Sequence, residues 1–144
     1  MYRKHKIISF IVFLVGGIAV FLFNPQEMNS TILTSVSIIF GFNLTAFISM
    51  NGNKEFILKM KGEIDKATKI QQTKLQTINC YFKFSFYSCI INIIAIVVSY
   101  LFQTLNIGML NRILTALVVS SFLVEIYMVF LILFLLMKSY QNSK

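Results

Sequence analysis

Four runs of about twenty apolar residues decide what this chain can fold into, because a helix of that length just crosses a bilayer. The runs cover residues 7–23, 31–50, 84–103 and 113–137. Each is continuous rather than alternating, so the backbone must close its hydrogen bonds within helices and not in a barrel wall. The expected fold is an all-α membrane protein with a single membrane domain, 1–144. It has four transmembrane helices, TM1 (7–23), TM2 (31–50), TM3 (84–103) and TM4 (113–137). A basic segment, 51–83, joins TM2 to TM3. Of the 144 residues 57% are hydrophobic and only 12% charged, which is too few charges for a soluble surface. The basic start before TM1 imitates a signal peptide, but the apolar run is long and Phe23-Asn24-Pro25 offers no small-residue cleavage site. TM1 is therefore expected to be retained.

The cations sort by side. Arg3, Lys4 and Lys6 precede TM1. Lys54, Lys59, Lys61, Lys66, Lys69, Lys74 and Lys83 lie between TM2 and TM3, and Lys138 and Lys144 follow TM4. The other two connections hold only Arg112. The positive-inside rule then places both termini and the long segment in the cytoplasm, with the bacterial inner membrane as the expected location. The net charge of +8 suits anionic headgroups on that face. An acidic protein or nucleic acid would meet the same field, though direct nucleic-acid binding is not expected. The opposite connections are short. Pro25 and Ser30 lie in one, NPQEMNS, and Gly108 and Asn111 in the other, TLNIGMLN. TM1/TM2 and TM3/TM4 are expected as two tight antiparallel hairpins.

Within 51–83, core-compatible residues recur at Ile57, Met60, Ile64, Ala67, Gln71, Leu75, Ile78 and Phe82, a helical stripe with lysines on the other faces. Gly62 is its weak point. The segment either lies on the membrane surface, bends near Gly62, or extends TM3 as a long helix that pairs with other copies; TM3 running into a cytoplasmic helix is the favoured expectation. The lysines Lys54, Lys59, Lys61, Lys66, Lys69 and Lys74 are candidates for partner or lipid binding, against the plainer reading of a solvated linker.

Glu125 stands alone in TM4, in SFLVEIYMVFLILFLLM, about twelve residues from either end. A central acid costs roughly 2.5–3.5 kcal/mol on insertion scales, and such residues face the bundle interior or a wet cavity. Asn43 in TM2 and Asn92 in TM3 lie at comparable depth, and Ser121 is one turn away on the same helix face. These four form a candidate intramembrane polar site. In one reading Glu125 is interhelical glue, bonded to Asn43 or Asn92. In the other it lines a cation path in an oligomer. Gly16 and Gly17 in TM1, and Gly41 and Thr45 in TM2, are candidate close-packing residues.

No catalytic chemistry is legible. Cys80 and Cys89 are nine apart, with neither a CxxC spacing nor a shared face, and read as reduced, packed thiols. His5 and Asp65 are the only residues of their types. No metal site, cofactor or enzyme activity is expected.

The TM2 run SIIFGFNLTAFISMNG, residues 37–52, resembles small multi-span proteins of bacterial anti-phage loci. The four-span plan with a basic cytoplasmic loop is similar to the membrane subunit of the Kiwa defence system. The resemblance implies an oligomeric inner-membrane sensor whose cytoplasmic face recruits a soluble partner acting on phage DNA; it carries over no catalytic residue. The Lys-, Ile- and Asn-rich composition fits an AT-rich bacterial coding sequence. The expected function is thus a homo-oligomeric membrane scaffold or sensor with a soluble cytoplasmic protein partner. A depolarising pore, and an immunity protein against a membrane-active toxin, are the alternatives.

Overall fold

The computed structural model describes residues 2–23, 28–65, 72–104 and 108–141. The described residues form five helices: α1 (Arg3–Phe23), α2 (Met28–Gly52), α3 (Lys54–Gly62), α4 (Lys74–Thr104) and α5 (Gly108–Gln141). The molecule is all-α, and α1, α2, α4 and α5 are each long and apolar enough to cross a membrane. Every one of these helices overruns its apolar stretch. The largest overrun is in α4, which begins at Lys74, because Leu75, Ile78 and Phe82 continue the apolar face and are buried.

The segment between α2 and α4 is not one continuous helix. Asn53 caps α3, its side-chain oxygen accepting from Phe56 N at 3.1 Å. The helix stops at Gly62, and Glu63 is extended. The chain then doubles back as a clip. Asp65 N donates to Gln72 O at 2.8 Å and Lys74 N donates to Glu63 O at 2.9 Å, and the Lys74 ammonium pairs with the Glu63 carboxylate. Ile64 and Thr73 face each other across an antiparallel bridge. The expected apolar stripe is thereby split. Met60, Leu75, Ile78 and Phe82 enter the core, whereas Ile64 is 57% exposed. Ala67 and Gln71, like Lys66 and Lys69, lie outside the described residues.

The packing centre is α5, which touches α1, α2 and α4; α2 also packs on α4, and α3 on both α2 and α4. The hairpin of TM3 and TM4 is present as α4 and α5. The hairpin of TM1 and TM2 is not: among the described residues α1 packs along α5 and makes no helix packing with α2. The reason is local. Gly16 and Gly17 face α5 so closely that a Cβ on Gly16 would sit 2.8 Å from Leu123 Cδ1, and one on Gly17 3.0 Å from Ser120 Oγ. The other small pair takes no part in packing within the chain. Gly41 has open space where a Cβ would be, and Thr45 is exposed, its hydroxyl turned back onto Gly41 O at 2.9 Å.

Two apolar clusters fill the interior. One gathers Met50, Met60, Tyr81, Phe82, Met128 and Ile132. The other gathers Ile32, Val36, Cys89, Ile96, Val118 and Val119. A cavity of about 770 Å³ beside the first is bordered by Tyr2, His5, Glu63, Asp65, Lys74 and Lys138. The start of α1, the clip, the start of α4 and the end of α5 therefore share one end of the bundle, called here the basic end.

Candidate functional site

One face of α4 carries the polar chemistry of the interior. Thr77, Tyr81, Ser85, Cys89, Asn92, Ile96 and Ser99 follow one another at three or four residues, so they lie on one line along the helix. None is more than 1% exposed. These groups face other parts of the chain rather than lipid, because hydrocarbon offers them no partner.

Glu125 of α5 is fully buried at the middle of this line. Asn92 Nδ2 donates to its Oε2 at 2.9 Å, and Cys89 Sγ contacts its Oε1 as a hydrogen-bond partner. The single hydroxyl proton of Ser121 has several acceptors within reach, among them Asn92 Oδ1 and Leu117 O at 2.8 Å. The expected grouping of Glu125, Asn92 and Ser121 is therefore present. Asn43 sits closer to the basic end, where its Nδ2 donates to Ser85 Oγ at 2.7 Å rather than meeting Glu125. Among the described residues its Oδ1 is buried without a hydrogen-bond partner. Cys89, which reads as apolar filler in the sequence, is a direct partner of the acid. Neither of the two partners of Glu125 carries a charge.

A second cluster closes the basic end. Asp65, 6% exposed, accepts at Oδ2 from Tyr2 OH at 2.9 Å and from Thr77 Oγ1 at 2.8 Å. Tyr81 OH accepts from Tyr2 N at 3.1 Å and lies 2.5 Å from His5 Nδ1. The rings of Tyr2, His5 and Tyr81 meet edge to face. Burial, and then the acceptor Asp65, push the Tyr2 phenol well above its ordinary value, so it stays a neutral donor. This cluster is invisible to a search by spacing, since Tyr2 and His5 come from the start of the chain, Asp65 from the clip and Thr77 and Tyr81 from α4. Only the phase of Thr77 and Tyr81 with Ser85, Cys89 and Asn92 could have signalled it. Toward the other end, Ser99 Oγ donates to Asn111 Oδ1 at 3.1 Å.

Of the candidate binding lysines, Lys54, Lys59 and Lys61 are exposed on α3, and Lys74 is engaged with Glu63. Among the described residues no three His, Cys, Asp or Glu side chains converge as metal ligands would. The interior can hold and pass hydrogen bonds, and its buried acids among the described residues are Glu125 and Asp65. The chain matches no protein-family model, no curated protein and no solved structure.

Proposed function

We propose that this chain is a non-enzymatic, oligomeric membrane scaffold or sensor that docks a soluble partner through its basic end, which faces the cytoplasm. The observation that carries the reading is the anchoring of α3. Met60 is buried in the core at 2% exposure, Asn53 caps the helix, and the clip ties its far end to α4. A solvated linker has no such attachments. Lys54, Lys59 and Lys61 are thus presented from a fixed element, beside the exposed Leu58 and Ile64. The fitting partner surface is acidic with an apolar patch. A pull-down in mild detergent with mass measurement of the complex tests it. Capture of the partner is expected to be lost when Lys54, Lys59 and Lys61 are changed together to Gln. Undiminished capture would overturn it.

The exposed small face of α2, with Ser37, Gly41 and Thr45, supports assembly of further copies, since small residues let helices approach closely in lipid. The expected result is a native mass of more than one chain that falls in Gly41→Leu. The resemblance of residues 37–52 to the membrane subunit of the Kiwa system adds anti-phage defence as the setting. Phage plating on cells with and without the gene and its neighbours checks that part. The enclosure of Glu125 within a single chain supports a polar anchor over a shared ion path. A planar-bilayer conductance abolished by Glu125→Gln would replace the scaffold with the pore.

A further inference from the structure

The polar line on α4 holds more than helix association needs. Small residues and one or two hydrogen bonds suffice to join helices in lipid. Here every member from Thr77 to Asn92 is bonded to another element. Thr77 meets Asp65, Tyr81 meets Tyr2 N and His5, and Ser85 meets Asn43. Cys89 meets Glu125, and Asn92 meets both Glu125 and Ser121. Successive members rise by about 4.5–6 Å along the helix axis. Past Asn92 the character changes. Ile96 is packed with Ile32, Val36, Val118 and Val119 in an apolar plug. The line is therefore polar toward the basic end and closed toward the other. It opens at Asp65, on the wall of the 770 Å³ cavity, and stops at Glu125. Between them, Asn43 Oδ1 is a buried acceptor with no donor among the described residues, and a buried water is the usual way such an atom is satisfied.

We propose that this line is a one-sided proton path, through which Glu125 binds and releases a proton in exchange with the basic end alone. At rest Glu125 is the neutral acid, because its partners are a thiol and an amide and no cation offsets a carboxylate there. On release, the O–H bond of Glu125 breaks and its electron pair stays on the carboxylate. The proton passes by way of hydroxyls and intervening water to the Asp65 carboxylate or to water in the cavity. The new carboxylate accepts from the Cys89 thiol and the Asn92 amide, so nothing is oxidised or reduced. The titratable and charged groups around this path come from four places. On α4 they are Cys89, Tyr81 and, at the open end, Lys74; at the start of the chain Tyr2, His5, Arg3, Lys4 and Lys6; in the clip Glu63 and Asp65; and on α5 itself Lys138 and Tyr127, whose ring lies 6.4 Å from that of His5. No residue of α2 titrates. The proposal does not depend on the docking reading; it gives the molecule a stimulus of its own, the proton supply at its basic end.

The test uses the full chain in lipid vesicles, its orientation fixed by protease access to the clip. Dicyclohexylcarbodiimide adds to protonated carboxyls within membranes, and mass spectrometry reads the modified Glu125 peptide. Labelling is expected to fall several-fold when only the basic-end solution is made alkaline, and to hold when only the opposite solution is. Ser85→Ala and Tyr81→Phe are expected to slow that fall several-fold at a temperature where both variants remain folded. An infrared carboxyl band that disappears in Glu125→Gln reports the same proton without the reagent. Equal response to either side, labelling that ignores pH on both sides, or absence of both label and band at every pH would overturn the proposal.

Discussion

Single side chains here are judged by what they would leave behind. Replacing Glu125 with Leu strips the Asn92 amide of its acceptor inside the bundle, and an orphaned buried donor costs about 1–3 kcal/mol. Glu125→Gln keeps the shape and most of the bonding, so its cost is expected below about 1 kcal/mol. Thermal unfolding in detergent separates the two. Asn43 and Ser85 give a sharper contrast. Ser85→Ala leaves both ends of the Asn43 amide unpaired, since its Oδ1 already lacks a partner among the described residues. The single change is expected to cost about 1–2 kcal/mol, and the double change with Asn43→Leu less than the single. A double change costing the sum of the two would refute that coupling. The grouping of Glu125 with Asn92 and Ser121 is legible in the sequence, because a strong polar group in hydrocarbon must find others at its own depth. The Asn43–Ser85 pair is not. Depth can be counted from a helix end, but rotation about the axis cannot. A serine or a thiol gives too weak a signal to reveal it.

Elements show where packing outranks local pattern. Gly17 and Gly41 look alike in the sequence, and the structure separates them. Gly17→Val would press α1 off Ser120, at about 1–3 kcal/mol by the usual cost of overpacking. Gly41→Ala meets nothing within 4 Å and is expected to leave the stability of the single chain within about 0.5 kcal/mol. The clip carries a pH dependence. The hydrogen bond from the Lys74 ammonium holds the Glu63 carboxyl below its ordinary value of 4.5. A lowered acid stabilises the closed clip fully above that value, and the contribution fades as pH falls through the lowered one. Hydrogen exchange at the Asp65 and Lys74 amides is expected to show extra opening in acid. Lys74→Gln should abolish that extra opening, and an unchanged acid response in this variant would rule out the ion pair as its cause. The four long helices are legible from run length alone. The clip is not, since its residues continue the helical stripe and only Gly62 interrupts it.

At the scale of the molecule, the number of spans and the gathering of the basic segments at one end follow from apolar length and the placing of lysines. The order of helices around the core does not. Short connections argue for neighbours in sequence becoming neighbours in space, and α1 with α2 breaks that expectation because the close-approach glycines point at α5. A chain cut between Phe23 and Met28 is therefore expected to co-purify as two pieces. A version of the larger piece that ends before Gly108 should lose α1, and continued capture of α1 by that version would place its partner elsewhere. The same arrangement has a consequence for synthesis. Chains are made from the amino end, so α1 leaves the ribosome well before α5, the helix it packs along. Until then α1 must stand in lipid by itself, which its composition permits: its span has a mean hydropathy of 2.2 and only 11% of it is buried even in the finished bundle. The later helix completes the fold by collecting the earlier one.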